Sequence, residues 1–425
     1  MADTFTGRLS GRLLLGGLPA VFATGLASFT PLLGLGYLNA STYQVWALAS
    51  VLFTVFLVFD FGAPVLATKL ASESSLTRRA FSALTLLSVA VPIGLGLVAL
   101  ILWPAYARAA DISDSLTGEF VVTLAWVTAG SVLRSVGSLF AASALGGDRF
   151  SARALILVLG SATQAIATLV ALESGAGLHS LGIGLFAGGV VQTFVGLVTE
   201  CRHLVPGVVQ DNQVMVLIGR FFRAKSATAV LGLTVTQLDR WALGLVAASP
   251  SFVVAYDVAA RVGMMPKIAL LALSAGTVSE VSRLRTRDAV TDLYRTLLRG
   301  TMALSILGAV GAVAVVACIS LWGDGTSSLG LAVLIAIPVC LGHAIHCWTI
   351  PGVNTVSALG SPRYELLYMI PLGVLTFGVY LVAAATHSVT LFVMGWSLVL
   401  GASSAMFAWR TPRFIASSWE ARNAR

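Results

Sequence analysis

Charge is what this sequence has least of. Asp, Glu, Lys and Arg make up 10% of its 425 residues, and hydrophobic residues make up 57%. Mean hydropathy is +0.91. A water-soluble domain carries about 25% charged residues, because its surface requires them. This chain cannot cover a water-facing surface of its size. That excludes soluble enzymes, nucleic-acid binders and disordered scaffolds, and leaves lipid as its main solvent. Cysteine is sparser still. Cys201, Cys318, Cys340 and Cys347 give no disulfide framework, and three of them sit in apolar runs, where a free thiol behaves as a small hydrophobe. A nucleotide site is missing too: Gly219 to Ser226 brushes against a Walker A pattern but lacks the second glycine before Lys225 and any preceding strand, so the chain cannot itself drive transport with ATP.

What is present is a series of apolar runs, each near the roughly 20 residues that cross a bilayer as a helix. They fall at 13–36, 44–68, 80–105, 120–144, 154–172, 180–199, 226–247, 252–278, 300–323, 327–350, 366–385 and 389–409, twelve in all. Arg8 and Arg12 ahead of the first run mimic a signal peptide, but no charge occurs from Leu13 to Phe59; the run is read as a retained first span. Polar and turn-forming residues divide the longest stretches, at Tyr37 to Gln44, at Pro351-Gly352-Val353-Asn354 and at Thr386-His387-Ser388. The longest outer loop, about 106–119, is too short for a catalytic domain. The chain is therefore expected not to be an enzyme and to carry no cofactor.

Lys and Arg set orientation, because cytoplasmic loops retain them. With the N-terminus in the cytoplasm, the even-numbered loops and both termini hold 21 of the 26 basic residues, and the outer loops hold only Arg108, near Asp111, Asp114 and Glu119. Most of the net charge of +8 is thus topological. The basic loop at about 200–225 divides the chain six plus six, giving an N-lobe over 1–210 and a C-lobe over 211–425. Ala40-Ser41 before Trp46 to Ala49 is faintly echoed by Ala248-Ser249 before Tyr256 to Ala259, as parallel repeats would produce. The fold class is an all-α polytopic membrane protein, about twelve helices in two six-helix lobes around a central cavity.

Seven charges lie within the spans: Asp60, Arg134, Asp239, Arg240, Asp257, Arg261 and Lys267. Each costs at least about 2.5–3.5 kcal/mol at mid-bilayer, so each is expected to face a partner or a wet cavity. They fall on spans 2, 4, 7 and 8 only, which points to one shared cavity. Asp257 and Arg261 are four apart on one helical face, acid first. Asp239 and Arg240 are adjacent, so they should diverge by about 100° and not face one point. Four cations against three anions suit an anionic head group, and Arg suits bidentate phosphate contacts. Structural pairing, Arg134 with Asp60 and the other acids with the remaining bases, is the competing explanation. Cys340, His343, His346 and Cys347 recur at turn spacing; metal ligation, sugar-hydroxyl binding and proton carriage all stay open for them, with no acidic ligand near.

Three stretches resemble Wzx-type polysaccharide flippases (the O-antigen or teichoic-acid class). The first runs from Trp46 through Asp60-Phe61-Gly62-Ala63-Pro64 to Ala71. The second is Gln237-Leu238-Asp239-Arg240-Trp241, followed by Tyr256-Asp257, Pro266 and Glu280 to Arg283. The third is Asn354 to Arg363. That family belongs to the multidrug/oligosaccharidyl-lipid/polysaccharide exporter superfamily, with multidrug and toxin exporters and lipid II flippases. The chain departs from lipid II flippases in having no Arg in span 1, and from drug exporters in having no acid there. The resemblance implies alternating-access transfer of undecaprenyl-diphosphate-linked oligosaccharide repeat units across the bacterial cytoplasmic membrane, both termini inside, for cell-surface polysaccharide biosynthesis. It implies membrane lipid, and a polysaccharide polymerase and glycosyltransferases, as partners. Arg134, Arg240, Arg261 and Lys267 are then candidate substrate ligands. Asp60, Asp239 and Asp257 are candidates for gating or ion coupling. A cation-coupled multidrug antiporter on the same fold is the alternative; it requires a net acidic cavity.

Overall fold

A computed structural model describes residues 17–58, 62–72, 76–204, 222, 231–232, 235, 237–247, 249–274, 277, 281, 284–322, 326–359 and 363–423. Among them the chain is helical, with no strand. The helices are α1 (Gly17–Gly36), α2 (Ala40–Val58), α3 (Ala63–Ser72), α4 (Arg78–Ala109), α5 (Asp114–Gly146), α6 (Phe150–Glu173), α7 (His179–Glu200), α8 (Asp239–Val246), α9 (Pro250–Leu273), α10 (Arg287–Trp322), α11 (Thr326–His346), α12 (Thr349–Ala358), α13 (Arg363–Thr386) and α14 (Val389–Asn423). The last seven residues of α1, Thr30–Gly36, wind as 3₁₀ helix.

Nine of the described helices are long and apolar enough to cross a membrane. Twelve spans are expected from the sequence, and the other three differ from them for separate reasons. Span 2 is broken into α2 and α3, with Gly62 at φ 73° opening α3; only glycine enters that left-handed region without steric cost. Most of span 7 lies outside the described residues. Span 8 is α9, which at 24 residues is about 36 Å long and would reach across, but Asp257, Arg261 and Lys267 lower its hydropathy.

Two other breaks need correction. The segment 37–44 is mostly not a loop: the Asn39 carboxamide accepts from the Thr42 N–H at 2.9 Å and caps α2, so helix resumes at Ala40. The turn expected at Pro351 is the first turn of α12. Pro351 is the third residue of that helix, where a missing N–H removes no helical bond. The break at 386–388 stands where the sequence places it, with His387 at φ 47° between α13 and α14.

The chain divides into two compact units, Phe22–Leu233 and Thr234–Arg425 with Met1–Val21. In the N-terminal unit α5 is central, packing on α2, α3, α4, α6 and α7. The adjacent Gly188 and Gly189 of α7 bring its backbone against two neighbours. A Cβ at Gly188 would stand 2.6 Å from the Gly160 carbonyl oxygen on α6, and one at Gly189 would stand 2.8 Å from the Gly130 carbonyl oxygen on α5. Small residues let backbones meet in lipid, where apolar side chains gain nothing from leaving the solvent. In the C-terminal unit α11 packs on α9, α10 and α14. Large apolar side chains point outward in both units: Ile101 is 75% exposed and Leu398 is 71% exposed. In water such a surface would aggregate; in a bilayer it is ordinary.

Candidate functional site

In the C-terminal unit the polar residues form one chain of contacts. α8 opens at Asp239, after a turn at Gln237-Leu238. One carboxylate oxygen of Asp239 accepts from the Arg240 N–H at 2.9 Å and from Arg240 Nη1 at 3.2 Å. The other accepts from the Tyr256 hydroxyl of α9 at 2.8 Å. Arg240 Nε reaches Asp257 Oδ1 at 2.7 Å, and Arg261 Nε reaches Asp257 Oδ2 at 2.7 Å. All five side chains are buried. The expectation that Asp239 and Arg240 diverge is wrong. Asp239 begins its helix instead of lying inside it, so its short side chain folds back over the first turn, where an acid is favoured, and the long Arg240 side chain follows it.

Two acids and two bases sum to zero. Arg240 and Arg261 therefore stand as the cations of a buried pair network tying α8 to α9, and removing one member would strand another at a cost of about 3–5 kcal/mol. Aromatic rings wall this network. Tyr256 meets Phe392 and Trp396 edge-on at 5.8 and 6.3 Å, and Tyr380 stacks on Phe392 at 5.2 Å. Trp396 Nε1 donates to the Val235 carbonyl at 2.8 Å, fixing the indole.

One turn beyond Arg261 the character changes. Gly263 faces Cys340 and His343 of α11, and Lys267, four residues on, lies on the same face of α9. Lys267 has no ion-pair partner among the described residues, and it is within electrostatic reach of His343, His346 and Cys347. His346 Nδ1 shares a hydrogen bond with Ser404 Oγ at 2.9 Å, and the Cys347 thiol donates to the His343 carbonyl at 3.2 Å. His343 is 1% exposed, and both its ring nitrogens lack a partner; its ring meets Trp396 edge-on at 5.2 Å. No group of His, Cys, Asp or Glu among the described residues is arranged to hold a metal ion.

The N-terminal unit holds Arg134 on α5. Its guanidinium donates to Gln164 Oε1 and, at 3.1 Å, to Ser161 Oγ, both on α6. It also lies 5.3 Å from the Phe53 ring centroid of α2, a cation–π distance. No carboxylate pairs with it among the described residues. Asp60, its expected partner, lies outside them. Around it Gln164 Nε2, Gln192 Oε1, Ser135 Oγ and Thr168 Oγ1 are buried without hydrogen-bond partners.

Of the seven sequence candidates, four meet in one network, Lys267 joins the histidines of α11, and Arg134 belongs to the other unit. The reading from full charges alone missed Gln164, Ser161, Tyr256 and Trp396. Gln164 and Gln192 were findable: an amide inside an apolar run needs a partner as a charge does.

No family model matches the chain. A protein of Haloferax volcanii named "Probable flippase AglR" is 30% identical over 118 residues, 27% of this chain and 25% of that protein, so the chain aligns with about a quarter of that relative's length. Solved structures match nearly end to end. An inward-facing multidrug resistance MATE family transporter of the MOP superfamily has a TM-score of 0.73 at 13% identity, covering 97% of this chain and 98% of that one. A MOP superfamily transporter from Pyrococcus furiosus, described by a reverse-polarity binding pocket that suggests a different function, has a TM-score of 0.73 at 12% identity, covering 97% and 96%. The Vibrio cholerae MATE transporter VcmN, in its bent form, has a TM-score of 0.70 at 12% identity, covering 99% of each chain. The chain shares the all-helical fold of these solved structures.

Proposed function

We propose that the protein flips a lipid-linked oligosaccharide, an undecaprenyl-diphosphate-linked repeat unit, from the inner to the outer leaflet of the cytoplasmic membrane by alternating access. The observation that carries this reading is the imbalance of charge within the spans. Arg134 and Lys267 have no carboxylate partner among the described residues, while Asp239 and Asp257 are both engaged by Arg. Surplus cations within the spans call for an anionic ligand, and a diphosphate supplies one. In the C-terminal unit Lys267 is the candidate anchor for the head group, and in the N-terminal unit Arg134 is a candidate anchor of its own. Arg240 and Arg261 join when the diphosphate displaces their carboxylates, and Asp239 and Asp257 act as the gate that this exchange opens. The polyprenyl tail stays in the bilayer. The flippase named in Haloferax volcanii and the reversed pocket polarity described for the Pyrococcus furiosus transporter support the same direction. Both termini are cytoplasmic on the basic-residue asymmetry. A cysteine placed at Ser113 then labels from outside, and one at Ser282 labels only after permeabilisation.

A cation-coupled multidrug antiporter is the second reading, supported by the fold likeness to multidrug transporters. It needs a free acid within the membrane. Proteoliposomes carrying a fluorescent undecaprenyl-diphosphate oligosaccharide separate the two. The flippase moves the label into a quencher-protected leaflet, and Lys267→Gln and Arg134→Gln slow it. Drug efflux without lipid movement would overturn the flippase reading.

A further inference from the structure

His343 has no place in the network described above, yet it is the least explained polar group in the C-terminal unit. Both of its ring nitrogens are buried without a partner, and an unmade hydrogen bond of that kind costs about 1–3 kcal/mol. A small apolar residue would pack there more cheaply, so the imidazole implies a use. The charged and titratable groups facing it are few. Lys267 comes from α9, Arg240 from α8 and His346 from one turn along α11 itself. Cys340 lies one turn before His343 on α11, and Cys347 lies in the turn just past the end of that helix. α14 contributes Trp396, and its neighbourhood from Gly395 to Ser404 has no titratable group; nor has α10 from Gly300 to Ala317. The nearby acids, Asp239 and Asp257, are held by Arg240 and Arg261. His346 is engaged by Ser404 and the Cys347 thiol by a carbonyl, which leaves His343 and Lys267 as the unengaged pair of this cluster among the described residues.

We propose that His343 and Lys267 form a joint proton-and-anion site, in which an anion pairing with Lys267 brings a proton from water onto His343. This rests on the reading that the unit binds a diphosphate, and it names how that binding is coupled. A protonated His343 beside Lys267 would put two like charges in an apolar interior, which is unfavourable by itself. A polyanion offsets both charges and accepts from the imidazolium N–H. Linkage makes the effect reciprocal: proton uptake tightens anion binding as much as the anion favours the proton.

The test uses the purified full chain in detergent, with inorganic pyrophosphate as probe. Calorimetric titration in two buffers of different ionisation enthalpy counts the protons exchanged per anion bound. The expected result is about one more proton taken up by the wild type than by His343→Gln. His346→Gln should match the wild type, and Lys267→Gln should bind at least about tenfold more weakly. Equal proton counts in the wild type and His343→Gln, with pyrophosphate bound, overturn the coupling and leave the diphosphate reading standing. A wild type that binds no pyrophosphate overturns both. Should His343→Gln not fold, His343→Asn takes its place, with the same expected and overturning proton counts.

Discussion

Two buried guanidinium environments stand in contrast. In the C-terminal unit Arg240 and Arg261 are held by carboxylates at 2.7 Å. In the N-terminal unit Arg134 is held by an amide, a hydroxyl and an aromatic face. Among the described residues the first arrangement sets two carboxylates against two guanidiniums, and the second sets none against one. A cation inside a membrane span therefore says nothing about availability until its partners are known. The carboxylate-held pair lends itself to locking two helices. The amide-held one lends itself to receiving an anion, because neutral partners orient the guanidinium without cancelling it.

The contrast can be broken by four substitutions, ordered by their expected effect on stability. Asp257→Ala removes the carboxylate that Arg240 Nε and Arg261 Nε share and should cost about 3–5 kcal/mol. The readout is a large drop in the thermal midpoint of the detergent-solubilised protein, partly recovered in Asp257→Ala with Arg261→Ala. Recovery absent from that double variant would mean that the network is not what holds α8 to α9. Tyr256→Phe removes one hydrogen bond to the Asp239 carboxylate and should cost about 1.5–3 kcal/mol. Gly189→Val pushes a side chain into the α5 backbone and should cost about 1–3 kcal/mol as overpacking, read as a lower midpoint with no change at the Asp257 network. Arg134→Gln should change the midpoint least of the four and still slow lipid flipping severalfold. A loss of folding comparable to that of Asp257→Ala would make Arg134 a structural residue and close the contrast.

Much of this was legible beforehand. Helix type follows from apolar run length, and the clustering of Asp239, Arg240, Asp257 and Arg261 follows from the need of membrane charges for company. The pairing itself was not legible, because it turns on where α8 begins. A carboxylate in a first turn bends back, and one in mid-helix does not. The break between α2 and α3 is marked in the sequence by Asp60, Gly62 and Pro64, but at 25 residues the run 44–68 is also long enough to pass for one span. α12 was misread because Pro351 and Gly352 read as a turn unless the helix is known to start two residues earlier. Gln164 carries a dipole and no formal charge, so in the sequence it stands out less than an arginine does.

The paired glycines of α7 have a mechanical consequence. At Gly188 and Gly189 the backbone of α7 rests on α6 through one residue and on α5 through the next, with no side chain between to act as a cushion. Side chains can change rotamer and absorb a shear; abutting carbonyls cannot. Helices α5, α6 and α7 therefore behave as a stiff plate in which bending is expensive. A push at one end of such a plate is carried to its other end with little lost between, so the smallest side chains in the sequence set how far a local motion travels.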